Sequence, residues 1–501
     1  MQNKSRMSGI YKNISDWHSF RLKVFAEGIG TGIFAGLVIC FFRWALHETE
    51  AWRASFFKNV LAQNPLYILG WFVALLGIAY VLDKLTKHEP LAAGSGIPQV
   101  KGAILGLIKM RWFSIMWVKL LAGVIGIGAG LSLGREGPSI QLGAVSAQGI
   151  SRFLGRTRME ERYLITSGAS AGLAAAFNAP LAGVMFALEE LHRSFSIVVL
   201  LPSMAAAFTA TVLSRLIFGR APIFNIPDLQ VLHTEDLAIV ILVAIVAGTC
   251  GVIFNKGLLN VHKFYALPIF KSSFHKIAFA LVCAGALGFF LPEVLGGGNN
   301  LINSLANSPA PLTMLLLFLV GKLIFTFISY GCGVPGGFFL PMLVIGALSG
   351  SVISNILISL GLIEASIGPT IVVIAMAALF SSSVRAPITG TVLIMEMTSS
   401  YQQLLSLAVA CMIAFVIAEL CESKPIYEEL LARTLGAKAP SEEIKHQRSL
   451  AEFVVDSGSF CENKMVKDIP WPARALVVDI KRGEASVVPG PNEKLQAGDF
   501  L

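Results

Sequence analysis

The sequence predicts an all-α polytopic membrane protein that ends in a small α+β soluble C-terminal module. Three observations carry this. The 501 residues are 55% apolar and only 14% charged, where a soluble domain has about 25% charged residues, and the mean hydropathy is +0.70. The charges are unevenly spread: 24 of the 81 residues from 421 to 501 are charged, against 40 of the 394 from 27 to 420. The charge-poor part falls into apolar runs of about 20 residues, the length that crosses a bilayer. An ordinary soluble enzyme, a disordered chain and a fibrous repeat are thereby excluded.

From the N-terminus, residues 1–27 form a basic amphipathic segment. Over the first 26 residues Lys4, Arg6, Lys12, Arg21 and Lys23 stand against Asp16, and Trp17, Phe20, Leu22, Val24 and Phe25 supply an apolar side. A basic flank before the first span places this end in the cytoplasm. Clear spans follow at 28–46, 66–82, 114–133, 196–217, 236–254, 276–293, 313–330, 337–361 and 404–420. The stretches 160–191 and 366–397 are apolar but broken by small residues and proline, a pattern tolerated at membrane depth only against protein or a water-filled cavity, and one that points to a substrate site. The net charge of +8 lies in the body and its flanks, since 421–501 is slightly acidic. No arginine- and aromatic-rich module accompanies it, so nucleic acid is not an expected partner. The seven cysteines form no CxxC pair and read as small buried apolar residues.

The chain repeats itself. Gly128-Ala-Gly130-x3-Gly134-x3-Pro138-x4-Gly143-Ala-Val-Ser146 matches Gly331-Cys-Gly333-x3-Gly337-x3-Pro341-x4-Gly346-Ala-Leu-Ser349 at an offset of 203. Asn178-Ala-Pro-Leu-Ala-Gly183 matches Arg385-Ala-Pro-Ile-Thr-Gly390 at 207, and Glu189 and Glu396 follow their prolines by nine residues each. This is an internal duplication; the pattern alone leaves parallel and inverted halves open.

Three stretches share one design: Gly94-Ser-Gly-Ile-Pro98, Gly134-Arg-Glu-Gly-Pro138 and Gly337-Phe-Phe-Leu-Pro341. Proline suits the first helical turn, where its missing N–H costs nothing. The residues around it then offer free backbone N–H groups to an anion at a helix N-terminus, and glycine lets that anion approach. One helix end is worth about 0.3–1 kcal/mol, up to about 2 when buried. Dehydrating an anion costs several kcal/mol, so several ends must converge, with hydroxyls added. The alternative is that these are only Gly/Pro kinks for helix packing.

Two carboxylates stand out. Glu136 lies inside the second stretch, where an ionised carboxylate competes with the anion and a protonated one leaves, making it a pH-coupled gate. Its alternative is an interfacial pair with Arg135. Glu190 faces Met397 across the repeat and is an addition to one half, a candidate proton carrier; its alternative is a helix-end pair with His192 or Arg193. Glu189 has a counterpart in Glu396 and reads as structural. No HExxH, GxxxxGK[ST] or GxSxG occurs, and Leu323 after Gly321-Lys322 replaces the hydroxyl a phosphate loop needs.

Together with FNAPLAG and the late KPIYEELLARTL, these stretches resemble the CLC chloride channel and transporter family over residues 28–437. The resemblance implies an inverted-repeat CLC fold, with halves of about 28–218 and 236–437, and a homodimer whose subunits each carry an anion pathway. It implies hydroxyls from Ser95 and Tyr427 on the anion, within a chloride-binding set of Ser95, Gly96, Ile97, Phe338, Phe339 and Tyr427, the phenylalanines through their amides. Glu136 matches the family's external gate and Glu190 its internal proton glutamate, an acid in antiporters and usually apolar in channels. Ser95 favours chloride, where proline suggests nitrate, and Glu136 argues against the fluoride-exporting branch. Gln99 and Lys101 depart from the pattern, since related exchangers tend to carry acids there.

Residues 438–501 resemble an RCK-type (TrkA-C-like) regulatory module, with strands expected at 475–481 and 485–489. That module continues with another strand after Gly498-Asp499-Phe500-Leu501, so it is expected to be truncated; a small regulatory ligand is its expected partner. The whole reads as an H⁺/Cl⁻ antiporter of a bacterial inner membrane, not an enzyme, with no metal or cofactor. A passive chloride channel of the same fold is the alternative.

Overall fold

The computed structural model describes all residues except 1, 59–64, 194, 227–228, 233, 308–309, 437–452, 456–457, 473–474 and 483–484. They divide into two compact units, one of residues 28–435 and one of residues 1–27 with 436–501.

The larger unit is helical and reads as one series given twice. The first half runs α1 (Gln2–Phe56, from residue 28 onward in this unit), α2 (Pro65–His88), α3 (Ile97–Ile104), α4 (Trp112–Gly128), α5 (Glu136–Phe153), α6 (Arg158–Phe177), α7 (Pro180–Phe186) and α8 (Ile197–Phe218). The second half runs α9 (Leu237–Phe264), α10 (Ser273–Phe290), α11 (Asn299–Asn307), α12 (Leu312–Gly331), α13 (Phe339–Ser359), α14 (Gly368–Val384), α15 (Pro387–Thr398) and α16 (Leu404–Leu420). Helix α17 (Ile426–Leu435) closes the unit.

Among the described residues nine helices are long and apolar enough to cross a membrane. Large apolar side chains such as Leu216, Phe290, Leu405 and Leu420 are exposed on them, as lipid contact requires and a soluble surface rarely allows. Helix α14 is buried almost all round, which explains an apolar pattern with no polar face.

The expected span 114–133 is corrected. Helix α4 stops at Gly128 after 17 residues, because the glycine run that follows turns the chain at Gly130, φ +108°. The stretch 366–397 is broken as expected, but residues 365–384 before the break are long and apolar enough to cross a membrane. The two breaks themselves fall at matching places. Helix α6 ends on Asn178 (φ +58°) and α7 restarts at Pro180; α14 ends on Arg385 (φ +68°) and α15 restarts at Pro387. Proline supplies the first turn of each new helix.

In the smaller unit, Val455, Ile469, Ile480 and Leu495 form a small core, with Trp471, Val477 and Leu501 packed on it. The strands are shorter than expected: β1 (Ile480–Arg482) pairs antiparallel with β2 (Ala485–Val487). Residues 475–479 have no regular structure and pair with no strand among the described residues, so alternation there did not become a ladder. Asp499 is buried and takes Arg482 Nη2 at 2.9 Å; that carboxylate holds the guanidinium above its ordinary range. Part of the expected 438–501 module, 438–452 among it, lies outside the described residues.

Candidate functional site

The three Gly/Pro stretches meet. Gly134 N–H donates to Gly337 O at 2.5 Å and Gly337 N–H to Gly134 O at 2.8 Å, an antiparallel bridge between the two halves. Gly336 N–H donates to Gly94 O at 3.0 Å. A Cβ on Gly337 would lie 3.0 Å from Gly137 N, and one on Gly137 would run into Ser95. Only glycine permits this approach. It brings the first turns of α3, α5 and α13 to one place. In each the hydrogen bonds begin at the fourth residue or so: Val100 N–H to Gly96 O, Ser139 N–H to Arg135 O, Met342 N–H to Phe338 O. The amides before these have no partner inside the helix, so three positive helix ends converge, where one could not offset the dehydration of an anion.

The sequence-predicted residues lie in or against this knot. Ser95 is 2% exposed, and its hydroxyl has no hydrogen-bond partner among the described residues. Gly96 (φ +92°) caps α3 and Ile97 is its first residue, fully buried. Phe338 caps α13 and Phe339 begins it. Tyr427, on α17, stacks on Phe338 at 5.4 Å and meets Phe186 edge-on at 6.3 Å. It is 1% exposed, and its hydroxyl too is unpartnered among the described residues. Burying a hydroxyl without a partner costs about 1–3 kcal/mol, and two such groups mark a polar site.

Glu136 opens α5 and is fully buried. It forms no ion pair with Arg135 among the described residues. Its carboxylate packs on Gly134, beside its own amide and that of Leu340, with neither oxygen in a closed hydrogen bond. It occupies the position an anion at these helix ends would take.

Glu190 is held on a single π-turn, Ala187–His192, that continues α7. Its expected alternative partners are corrected: among the described residues it forms an ion pair with neither His192 nor Arg193 but with Lys101 of α3, Nζ to Oε1 2.7 Å. Both side chains are almost wholly buried, at 2% and 4% exposed. Lys101 lies one turn along α3 from Ile97, so one short helix joins Ser95 to Glu190. Glu189 is structural, as expected. It accepts the N–H groups of Ile388 and Thr389 at the start of α15, while Glu396 accepts those of Leu181 and Ala182 at the start of α7. The halves cap each other.

Two features were missed from sequence. Pro90-Leu-Ala-Ala-Gly-Ser-Gly96 has a counterpart in Pro292-Glu-Val-Leu-Gly-Gly-Gly298 at an offset of 202. Gly94 and Gly296 have φ +63° and +61°, and Gly96 and Gly298 have +92° and +93°. Each loop is stapled by a buried lysine: Lys119 Nζ donates to Ala92 O and Gly94 O at 2.9 and 2.6 Å, and Lys322 Nζ to Val294 O and Gly296 O, both at 2.8 Å. The readable signal was the P-x3-G-x-G spacing with a lysine about 25 residues on. Among the described residues, no group of three His, Cys, Asp or Glu could hold a metal ion.

Comparison with known proteins gives the same picture. The family model described as Voltage gated chloride channel matches residues 78–419, and the TrkA-C domain model matches 450–501. A curated relative, the H(+)/Cl(-) exchange transporter ClcA of Vibrio cholerae serotype O1, strain M66-2, is 34% identical over 423 residues, 81% of this chain and 88% of its own. Among solved structures, a slow cyanobacterial Cl-/H+ antiporter is 32% identical with a TM-score of 0.79, covering 83% of this chain and 98% of its own. A CLC-type fluoride/proton antiporter is 25% identical with a TM-score of 0.68, covering 81% and 97%.

Proposed function

This chain belongs to the voltage gated chloride channel family, and from that premise we propose that it is a secondary active transporter exchanging chloride for protons through a pathway gated by Glu136. It works as a homodimer in a bacterial inner membrane, each subunit with its own pathway, and needs no cofactor. The observation that carries this reading is the Glu136 carboxylate, buried at the amino ends of α5 and α13 with neither oxygen in a closed hydrogen bond among the described residues. The names of the relatives support exchange over passive flow.

In this reading chloride sits against the Ser95 and Tyr427 hydroxyls and the amides of Gly96, Ile97, Phe338 and Phe339. It is held by partial charges, strong enough for entry and weak enough for release. Ionised, Glu136 takes the place of an anion and shuts the outer approach. Protonated, it no longer competes and moves aside. Chloride movement therefore requires a proton on Glu136, and Glu190 exchanges that proton on the cytoplasmic side. The C-terminal module binds a small regulatory ligand.

The test is purified protein in liposomes under a chloride gradient, with external pH recorded. Protons driven uphill by the parent, and chloride flux without protons in Glu136→Gln, support the proposal. Chloride flux that never carries protons in the parent contradicts it and makes the protein a passive channel. Replacing chloride by fluoride separates the two halide readings: Ser95 and Glu136 predict chloride.

A further inference from the structure

Beyond Glu190 the charges continue. Lys101 Nζ also faces Glu428 Oε1 at 3.7 Å, and Glu428 is paired with Arg193. Exposure rises along the row: 2% for Glu190, 4% for Lys101, 34% for Glu428 and 38% for Arg193. The row thus runs from a dry interior to solvent. Glu428 belongs to α17, directly after Tyr427, and α17 packs on α3, a Cβ at Gly102 lying 3.0 Å from Leu431. The neighbouring Glu429 is taken up by Lys424 and Arg433 and stands outside the row.

A buried ion pair is a weak source of stability, because desolvation offsets the attraction. Within a membrane body an ionisable pair is a functional group by default. Here the pair is present as a unit in one half and absent from the other. The repeat counterparts of Lys101 and Glu190 are Asn303 and Met397, although the backbone there is duplicated. The scaffold does not require the pair.

We propose that Glu428 is the cytoplasmic proton port of this protein and that Lys101 carries protons between it and Glu190. The proposal rests on the reading of Glu190 as the internal proton glutamate. Inward, the Lys101 ammonium gives a proton to the Glu190 carboxylate across 2.7 Å, breaking one N–H bond and forming one O–H bond. The Glu428 carboxylate takes one proton from a solvent hydronium ion, leaving water, and the neutral amine swings on its flexible stem, takes that proton and leaves Glu428 as the carboxylate paired with Arg193. One proton has moved from solvent to Glu190 and every other group has returned to its starting form; outward transfer runs in reverse. An ammonium can surrender a proton in a dry site, whereas a guanidinium cannot.

That difference supplies the test. In the liposome assay, Lys101→Arg keeps a cation opposite Glu190 but removes the carrier, and Glu428→Gln removes the port. Both should lower proton flux about tenfold or more while chloride still exchanges, and Glu428→Asp should restore coupling. If the parent and both variants couple normally while Glu190→Gln stops protons, the relay is wrong and Glu190 keeps its role. If the parent moves no protons, the relay and the reading it rests on fall together. A Lys101→Arg protein that loses protons beside a fully coupled Glu428→Gln overturns the port.

Discussion

In the first half, the loop from Pro90 to Pro98 sets Ser95 between two left-handed glycines and is stapled by Lys119. In the second half, the loop from Pro292 to Asn300 has the same glycine geometry and the same staple from Lys322, but Gly297 stands where Ser95 would. The same holds elsewhere. Glu136 opens α5 where Phe339 opens α13, and the Lys101–Glu190 pair is replaced by Asn303 and Met397. What the halves share is backbone: glycine approaches, prolines at helix starts, reciprocal carboxylate caps and lysine staples. Where they differ, they differ in hydroxyls and charges. Duplication provides the converging helix ends, and in the proposed function substitution in one copy supplies the proton and anion chemistry.

The largest expected effect comes from giving the first half the second half's residue at 190. Glu190→Met leaves the Lys101 ammonium buried beside a methionine, which should cost about 3–5 kcal/mol, read as a lowered melting temperature in detergent. Lys101→Asn together with Glu190→Met reproduces the other half and should regain most of that loss. A double variant no more stable than the single one would mean that the pair does not act as a unit.

Removing the staples should separate scaffold from chemistry. Lys119→Met strands the Ala92 carbonyl, since Gly94 O keeps the Gly336 N–H, whereas Lys322→Met strands both Val294 O and Gly296 O; at about 1–3 kcal/mol for each carbonyl, both should lower the melting temperature, Lys322→Met the more. Only Lys119→Met should also weaken chloride binding by calorimetry, because its loop carries Ser95. Equal chloride loss in both variants would break the comparison. The smallest effect belongs to the reciprocal caps. Glu189→Ala and Glu396→Ala should each cost about 0.5–2 kcal/mol, to similar extents, and a thermal melt of each checks that symmetry.

Much of this was legible because backbone geometry restricts residue choice. A helix restarting at Pro180 or Pro387, or a backbone approach at Gly134, Gly137 or Gly337, leaves few residues that fit, and so leaves motifs. The helix breaks and two of the three repeat blocks could be read for that reason. The third block shares little beyond a proline and two glycines with its copy, and their common φ angles show it. Hydropathy carried the span 114–133 past Gly128 because it does not register how a glycine run ends a helix. Alternation stretched β1 toward residue 475 because it does not register whether a partner strand exists. Lys101 was legible only as a departure from pattern. Its partner lies 89 positions away, and a contact at that separation belongs to the fold, as does the link from Lys101 to Glu428. Lys322 drew notice only as a failed phosphate loop, since nothing local marks a lysine that binds two distant carbonyls.

The central claim is that the chemistry sits where the halves differ, and Ser95 tests it most directly. Chloride should be titrated calorimetrically into the detergent-solubilised parent and into Ser95→Gly, which gives the first loop the residue of the second. A charge-assisted hydroxyl contact is worth about 1.5–3 kcal/mol, so chloride binding should weaken about tenfold or more while the melting temperature stays within a few degrees. Unchanged chloride affinity in Ser95→Gly would contradict the account, because the loop with serine and the loop without it would then be equivalent.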